Sequence, residues 1–199
     1  EFRRVLFRSG GQGANSAGKI LAEAAVLEMG LQASHFSSYG SEKRGSPVRS
    51  HVRFSRRERP IRTVAPIESP ELLIIFHQSL ILSHPECFAG VSEQTDVLVN
   101  SSLKASQIRL PEGSRCARIA TVDALKISRQ QQGGMNAAML GAAQTLLPEI
   151  TSGAIEASLD RFFARQSPKV REGNRAAFRA GLAQVNASEF SAKQAVLPR

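Results

Sequence analysis

The chain has 199 residues, 42% hydrophobic and 22% charged, enough for one domain with a sizeable core and unlike a disordered polymer. Its longest purely apolar run, LLIIF at 72–76, falls far short of the roughly 20 residues that span a bilayer, so a soluble, cytoplasmic chain without a membrane partner is expected. The formal net charge of +9 suits an acidic partner surface, a phosphate-bearing ligand or nucleic acid, and does not choose among them.

The first nine residues, EFRRVLFRS, read like the in-frame translation of a sequencing-library adapter fused to a gene fragment. Only Val5, Leu6 and Phe7 form a continuous apolar run there, too short for a signal peptide. Setting Glu1, Arg3, Arg4 and Arg8 aside removes two of the nine net positive charges and leaves the remainder distinctly basic. The expected layout is therefore an adapter at 1–9, a domain over 10–185 and a C-terminal tail over 186–199.

GGQGANSAGK at 10–19 allows three readings. A P-loop needs Ser or Thr after Lys19, and Ile20 stands there; LLIIF also ends in His77-Gln78 rather than the metal-binding Asp. A dinucleotide fingerprint needs a third glycine where Ser16 stands, and a carboxylate near 37–39, where Ser37, Ser38 and Tyr39 stand. What remains is a glycine turn from a strand into a helix, whose free N–H groups and positive helix end favour an anion.

A helix is predicted over 14–29, stopped by Gly30, and a strand over 31–40 running into a loop. VRSHVRFS at 48–55 alternates, with Val48, Ser50, Val52 and Phe54 on one face and Arg49, His51, Arg53 and Ser55 on the other. That basic face is expected to be a solvated edge or a protein interface, with residues 61–64 pairing back as a hairpin. Strands at 71–77, 96–100 and 117–121 are expected in the core, followed by helices near 123–132, 135–147, 152–165 and 169–190. Asn136 is expected to cap the second of these. The fold class read from this order is α/β: a single Rossmann-like, three-layer domain with a mostly parallel sheet and a helical C-terminal part.

Cys87 and Cys116 are 29 positions apart without a C-x-x-C, a spacing that suits reduced thiols and neither zinc nor an iron–sulfur cluster. His35, His77 and His84 show no metal-ligand spacing. With one tyrosine and no tryptophan, no stacking pattern supports a nucleic-acid partner.

Three stretches in order, GGQGANSAGKILAEAA (10–25), YGSEKRGSPVRSHVR (39–53) and NAAMLGA (136–142), together resemble the gamma subunit or gamma domain of 2-oxoacid:ferredoxin oxidoreductases. TVDALKI (121–127) is similar to the pyruvate-type branch, and the similarity runs from Gly10 to about Gly181. Two positions depart from the pattern: Arg8 and Ser46 each stand where relatives carry glycine. The resemblance implies a subunit of a complex that decarboxylates a 2-oxoacid with thiamine diphosphate and magnesium. Electrons would pass through [4Fe-4S] clusters to ferredoxin, and the acyl group to coenzyme A as co-substrate. Those cofactors are expected on the alpha, beta and delta (ferredoxin-like) partner subunits, none bound by this chain alone. No catalytic residue is assigned here. Gly10, Gly11, Gln12 and Gly13 are the candidate cradle for coenzyme A or a substrate anion. Tyr39, Glu42, Arg44, Arg49 and Asn136 are candidates for an interface or active-site loop. Two alternatives stay open: an arylpyruvate (indolepyruvate) oxidoreductase subunit, and a stand-alone module for an anionic nucleotide.

Overall fold

The computed structural model describes residues 1–9, 13–39, 47–63 and 65–189. Its frame is one seven-stranded sheet in the order β2-β3-β1-β4-β5-β6-β7. The strands are β1 (Phe2–Ser9), β2 (Gln32–Tyr39), β3 (Pro47–Ser55), β4 (Leu72–Ile75), β5 (Asp96–Asn100), β6 (Arg118–Val122) and β7 (Asn186–Glu189). The helices are α1 (Gly13–Glu23), α2 (Leu80–Ser83), α3 (Ala124–Gln131), α4 (Met135–Gln144), α5 (Ser152–Phe162) and α6 (Pro168–Ala183). The α/β class and the Rossmann-like layering hold. The sheet is mixed: β1, β4, β5 and β6 run parallel, while β3 pairs antiparallel with both β1 and β2, and β7 pairs antiparallel with β6.

Alternation along the strands divides the core in two, because successive side chains point to opposite faces. Leu6, Val52, Phe54, Leu72, Ile74, Leu98 and Ala120 face α1 and the helices after β6. Val5, Phe7, Leu73, Ile75, Val97, Val99 and Ile119 face the short turns and loops that join β4 to β5 and β5 to β6. All four β4 side chains are buried, as a continuous apolar run predicts for a central strand.

Three expectations change. No strand forms over 61–63, and residue 64 lies outside the described residues. β3 already pairs on both sides, with β2 and β1, so no edge is left for a hairpin. For the same reason Arg49, His51 and Arg53 do not form a solvated edge. His51 and Arg53 are buried beneath the segment before β4, with Arg53 Nη2 donating to the Ala65 carbonyl at 2.6 Å and Ile67 N–H donating to His51 Nδ1 at 3.2 Å. The last predicted helix is shorter: α6 ends at Ala183, and the first four residues of the expected tail form β7 on the open side of β6.

The segment read as adapter-derived is an interior strand, paired on both sides. Val5, Leu6 and Phe7 are buried between β3 and β4, where β-branched and aromatic side chains pack well on both sheet faces. After α1 the chain makes a π-helical turn (Ala24–Glu28) and stops at Gly30, whose φ of 64° is the left-handed conformation that favours glycine past a helix end.

Buried His51 gives the fold a pH dependence. Its ring stacks on Phe36 with centroids 4.7 Å apart, and its Nδ1 already accepts the Ile67 N–H, which leaves no room for a second proton. Burial first, then the charges of Arg53 and Arg49 and the neighbouring His35, lower its pKa to about 4. Between pH 6.5 and 4 the unfolded chain therefore binds a proton that the folded chain refuses, so stability falls as pH falls. The loss across that window should be on the order of 3 kcal/mol. Urea midpoints at a series of pH values should show this slope, and His51→Gln should flatten most of it. Parallel profiles for the two proteins would show that His51 is not the source.

Candidate functional site

In a parallel sheet, a crevice opens at the carboxyl ends of neighbouring strands whose following connections leave toward opposite faces. That reversal occurs twice in this sheet. α1, after β1, lies on one face, while the connection after β4 lies on the other through Leu80, Ile81, Cys87 and Phe88. The connection after β5 stays on that second face through Ala105 and Ile108, and α3, after β6, returns to the first through Ala124 and Ile127. The second reversal holds a crevice of about 360 Å³, lined by residues that follow β4 (His77, Gln78), β5 (Ser101, Ser102) and β6 (Asp123, Lys126, Arg129).

Asn100, the last residue of β5, ties this edge together. Its Nδ2 donates to the Phe76 carbonyl at 2.9 Å and to Met135 Sδ at 3.2 Å, and its Oδ1 accepts the Ala124 N–H at 3.0 Å. One buried amide thereby joins the end of β4 to the starts of α3 and α4, using most of its hydrogen-bonding capacity. Beside it the Ser101 hydroxyl donates to Gln78 Oε1 and accepts the Leu103 N–H at 3.0 Å. Asp123 caps α3, its Oδ1 accepting the Lys126 N–H at 2.9 Å, which satisfies one of the unpaired donors at the helix start.

The residues singled out from the sequence distribute along the same edge. Gly13 opens α1 directly past the carboxyl end of β1, while Gly10, Gly11 and Gln12 lie outside the described residues. Tyr39 ends β2, opposite Val48 of β3, and is 67% exposed; Glu42 and Arg44 follow it outside the described residues. Arg49 sits one step inward, its guanidinium 5.3 Å from the Phe7 ring and donating to the Glu86 carbonyl at 3.5 Å. Asn136 is not the cap of α4. That position belongs to Gly134, and Asn136 lies in the first turn with its Oδ1 accepting the Ala137 N–H at 3.1 Å. The contact between Met135 and Asn100 nevertheless brings this helix start to the carboxyl edge. Lys19 is exposed on α1.

Sequence reading missed the crevice itself. His77 entered as a failed P-loop metal ligand and as a histidine without metal-ligand spacing, Asn100 as the end of a core strand, and Lys126 and Arg129 as ordinary helix residues. The available signal was position: the lining groups follow the carboxyl ends of parallel strands, directly or within the first two turns of α3. Cys87 and Cys116 are free and buried, and burial pushes both thiols up to about 12, so neither is a thiolate at neutral pH. Among the described residues, no three His, Cys, Asp or Glu side chains gather as metal ligands would, and no helix is long and apolar enough to cross a membrane.

Residues 8–184 match the family model described as pyruvate ferredoxin/flavodoxin oxidoreductase. The pyruvate synthase subunit PorC of Thermotoga maritima is 34% identical over 182 residues, which cover 90% of this chain and 92% of that protein. The pyruvate/ketoisovalerate oxidoreductases common subunit gamma of Pyrococcus abyssi is 32% identical over 172 residues, 85% of this chain and 91% of that protein. The crystal structure of pyruvate oxidoreductase subunit PORC from Thermotoga maritima superposes with a TM-score of 0.79 at 30% identity, covering 94% of this chain and 98% of that one.

Proposed function

Because the chain belongs to the pyruvate ferredoxin/flavodoxin oxidoreductase family, as a subunit resembling the gamma subunits of its multi-subunit oxidoreductases, we propose that it serves the oxidative decarboxylation of a 2-oxoacid, pyruvate or a close analogue, to an acyl-coenzyme A. The observation that carries this reading is the match across 8–184, which spans the whole carboxyl edge from the glycine turn to α6. Thiamine diphosphate with magnesium, when bound by a partner subunit, supplies the decarboxylation chemistry, and iron–sulfur clusters on partners take the electrons to ferredoxin. The chain's alpha, beta and delta partners would meet it in the cytoplasm.

The part left to this chain is to present its carboxyl edge to a shared cleft. Gly10 to Gly13 would hold an anionic group of coenzyme A or of the substrate on backbone N–H groups at the start of α1. Tyr39, Glu42 and Arg44 would order a loop across the subunit boundary, with Arg49 behind it on the Phe7 ring. Exposed Tyr39, Leu103 and Leu125 place apolar surface at that edge, as a surface covered in a complex would have.

Co-expression with the partner subunits encoded beside it tests the reading. The purified complex should reduce a dye under anoxic conditions in a coenzyme A-dependent way, with pyruvate or a related 2-oxoacid as donor. The chain alone should be inactive. Decarboxylation and dye reduction by the isolated chain, or full activity of a complex lacking it, would overturn the assignment.

A further inference from the structure

We propose that the crevice at the ends of β4, β5 and β6 is a phosphate-monoester subsite that accepts a small phosphorylated hydroxy compound. The inference is independent of subunit assembly and concerns a place separate from Gly13 and the start of α1. With strands about 4.8 Å apart, the gap between β5 and β6 lies roughly 12 Å across the sheet from β1.

Charge is the first argument. Lys126 and Arg129 line the crevice three residues apart on α3, so their side chains share one face of the helix. Among the described residues neither is joined to a carboxylate, whereas Arg161, Arg175 and Arg179 on the neighbouring helices each are. The nearest carboxylate on the crevice wall, Asp123, has Oδ1 committed to the Lys126 N–H.

Donor geometry is the second. His77 Nδ1 accepts the Ser79 N–H at 3.2 Å and lies 2.6 Å from the Ser79 hydroxyl, which leaves Nε2 as the ring's donor. Gln78 Oε1 accepts from the Ser101 hydroxyl, which leaves its NH₂ group to donate. Two cations and two further donors therefore line one wall system, suited to the nearly doubly negative charge and three oxygens of a phosphate monoester. A carboxylate, with a single charge and two oxygens, would leave part of that set unmatched. The second oxygen of Asp123 is an acceptor among donors, and it suits a ligand hydroxyl next to the phosphate. About 360 Å³ lies within the usual range for a small-molecule pocket.

Amide chemical-shift titration of the full chain at fixed ionic strength tests this, with ribose 5-phosphate, inorganic phosphate and acetate as probes. Ribose 5-phosphate should give saturable shifts confined to Ser102 and the start of α3, with phosphate weaker and acetate weakest. The double substitution Lys126→Gln, Arg129→Gln should weaken ribose 5-phosphate by about tenfold or more, through loss of two charge-assisted contacts. Exposed Lys169→Gln on α6 should change nothing. Asp123→Asn keeps a capping side chain and should tighten inorganic phosphate severalfold while narrowing the preference for ribose 5-phosphate. Unsaturable shifts, an acetate response equal to phosphate, or an unchanged affinity in the double variant would each overturn the proposal.

Discussion

Replacing Gly141 by alanine should lower stability by about 1–3 kcal/mol, and replacing it by valine by more than about 3 kcal/mol. Helix propensity alone predicts the opposite sign, since Gly to Ala inside a helix ordinarily gains roughly 0.5–1 kcal/mol. Contact decides the matter. A Cβ on Gly141 would stand 1.9 Å from the Phe178 carbonyl oxygen on α6, and one on Gly181 would stand 2.0 Å from the Ala138 carbonyl oxygen on α4. Each glycine therefore faces the other helix's backbone, which cannot swing aside as a flexible side chain would. Gly133 and Gly173 repeat the arrangement one end along, with a Cβ on Gly133 meeting the Gly173 carbonyl oxygen at 2.1 Å. Gly153 on α5 is the matched control, because a Cβ there meets nothing within 4 Å, and Gly153→Ala should stabilise by about 0.4–1 kcal/mol. Thermal midpoints would separate them, at about 2–4 °C per kcal/mol for a chain of this length. If Gly141→Ala melted as high as Gly153→Ala, the close approach of α4 and α6 would not be real.

Glu149→Ala should cost about 3 kcal/mol, the lower end of the range for stripping one partner from a buried ion pair. Arg4 on β1 and Glu149 before α5 have side chains only 5% and 8% exposed and are joined through Arg4 Nη2. Arg4 Nη1 also reaches Glu71 Oε2 at 2.8 Å, and Glu71 is 34% exposed. Without Glu149 the guanidinium keeps that half-wet carboxylate, the Arg3 carbonyl at 3.3 Å and the Phe2 ring at 5.6 Å, while its Nε already lacks a partner. The pair itself adds little over an apolar substitute, since both charges were desolvated to form it. The combined substitution Arg4→Met, Glu149→Leu should therefore recover most of the loss. Urea denaturation of Glu149→Ala, together with the wild type, the single Arg4→Met and Glu149→Leu variants and their double variant, measures both statements, and additive losses in that cycle would show that the two side chains do not interact.

These two sites show where sequence reading stops. Val48 to Ser55 announced a strand by alternation, LLIIF a doubly buried one, and Gly30 a helix end, and each stands as expected because these signals are local. They arise from backbone period and from one residue's φ, which neighbours in the chain set. Gly141 and Gly181 carry no such local signal. Their role depends on a partner helix 40 positions away, and no local rule names it. The basic face of β3 failed for the same reason. Its charge suggested water, but placement between β2 and β1 put His51 and Arg53 under the segment before β4, where backbone carbonyls and a backbone N–H meet them.

The candidate site divides along that line. The α/β class and the family were legible in the chain itself, since motif order and spacing are properties of the chain. Which strand ends converge is set by the packed sheet. His77, Asp123, Lys126 and Arg129 are up to 52 positions apart and carry no shared motif, yet parallel pairing of β4, β5 and β6 brings their carboxyl ends to one edge. The reversal of connections between β5 and β6 then opens the space between them. Register and crossover side are set by burial on both faces of the sheet at once, a condition that no single stretch of the chain contains.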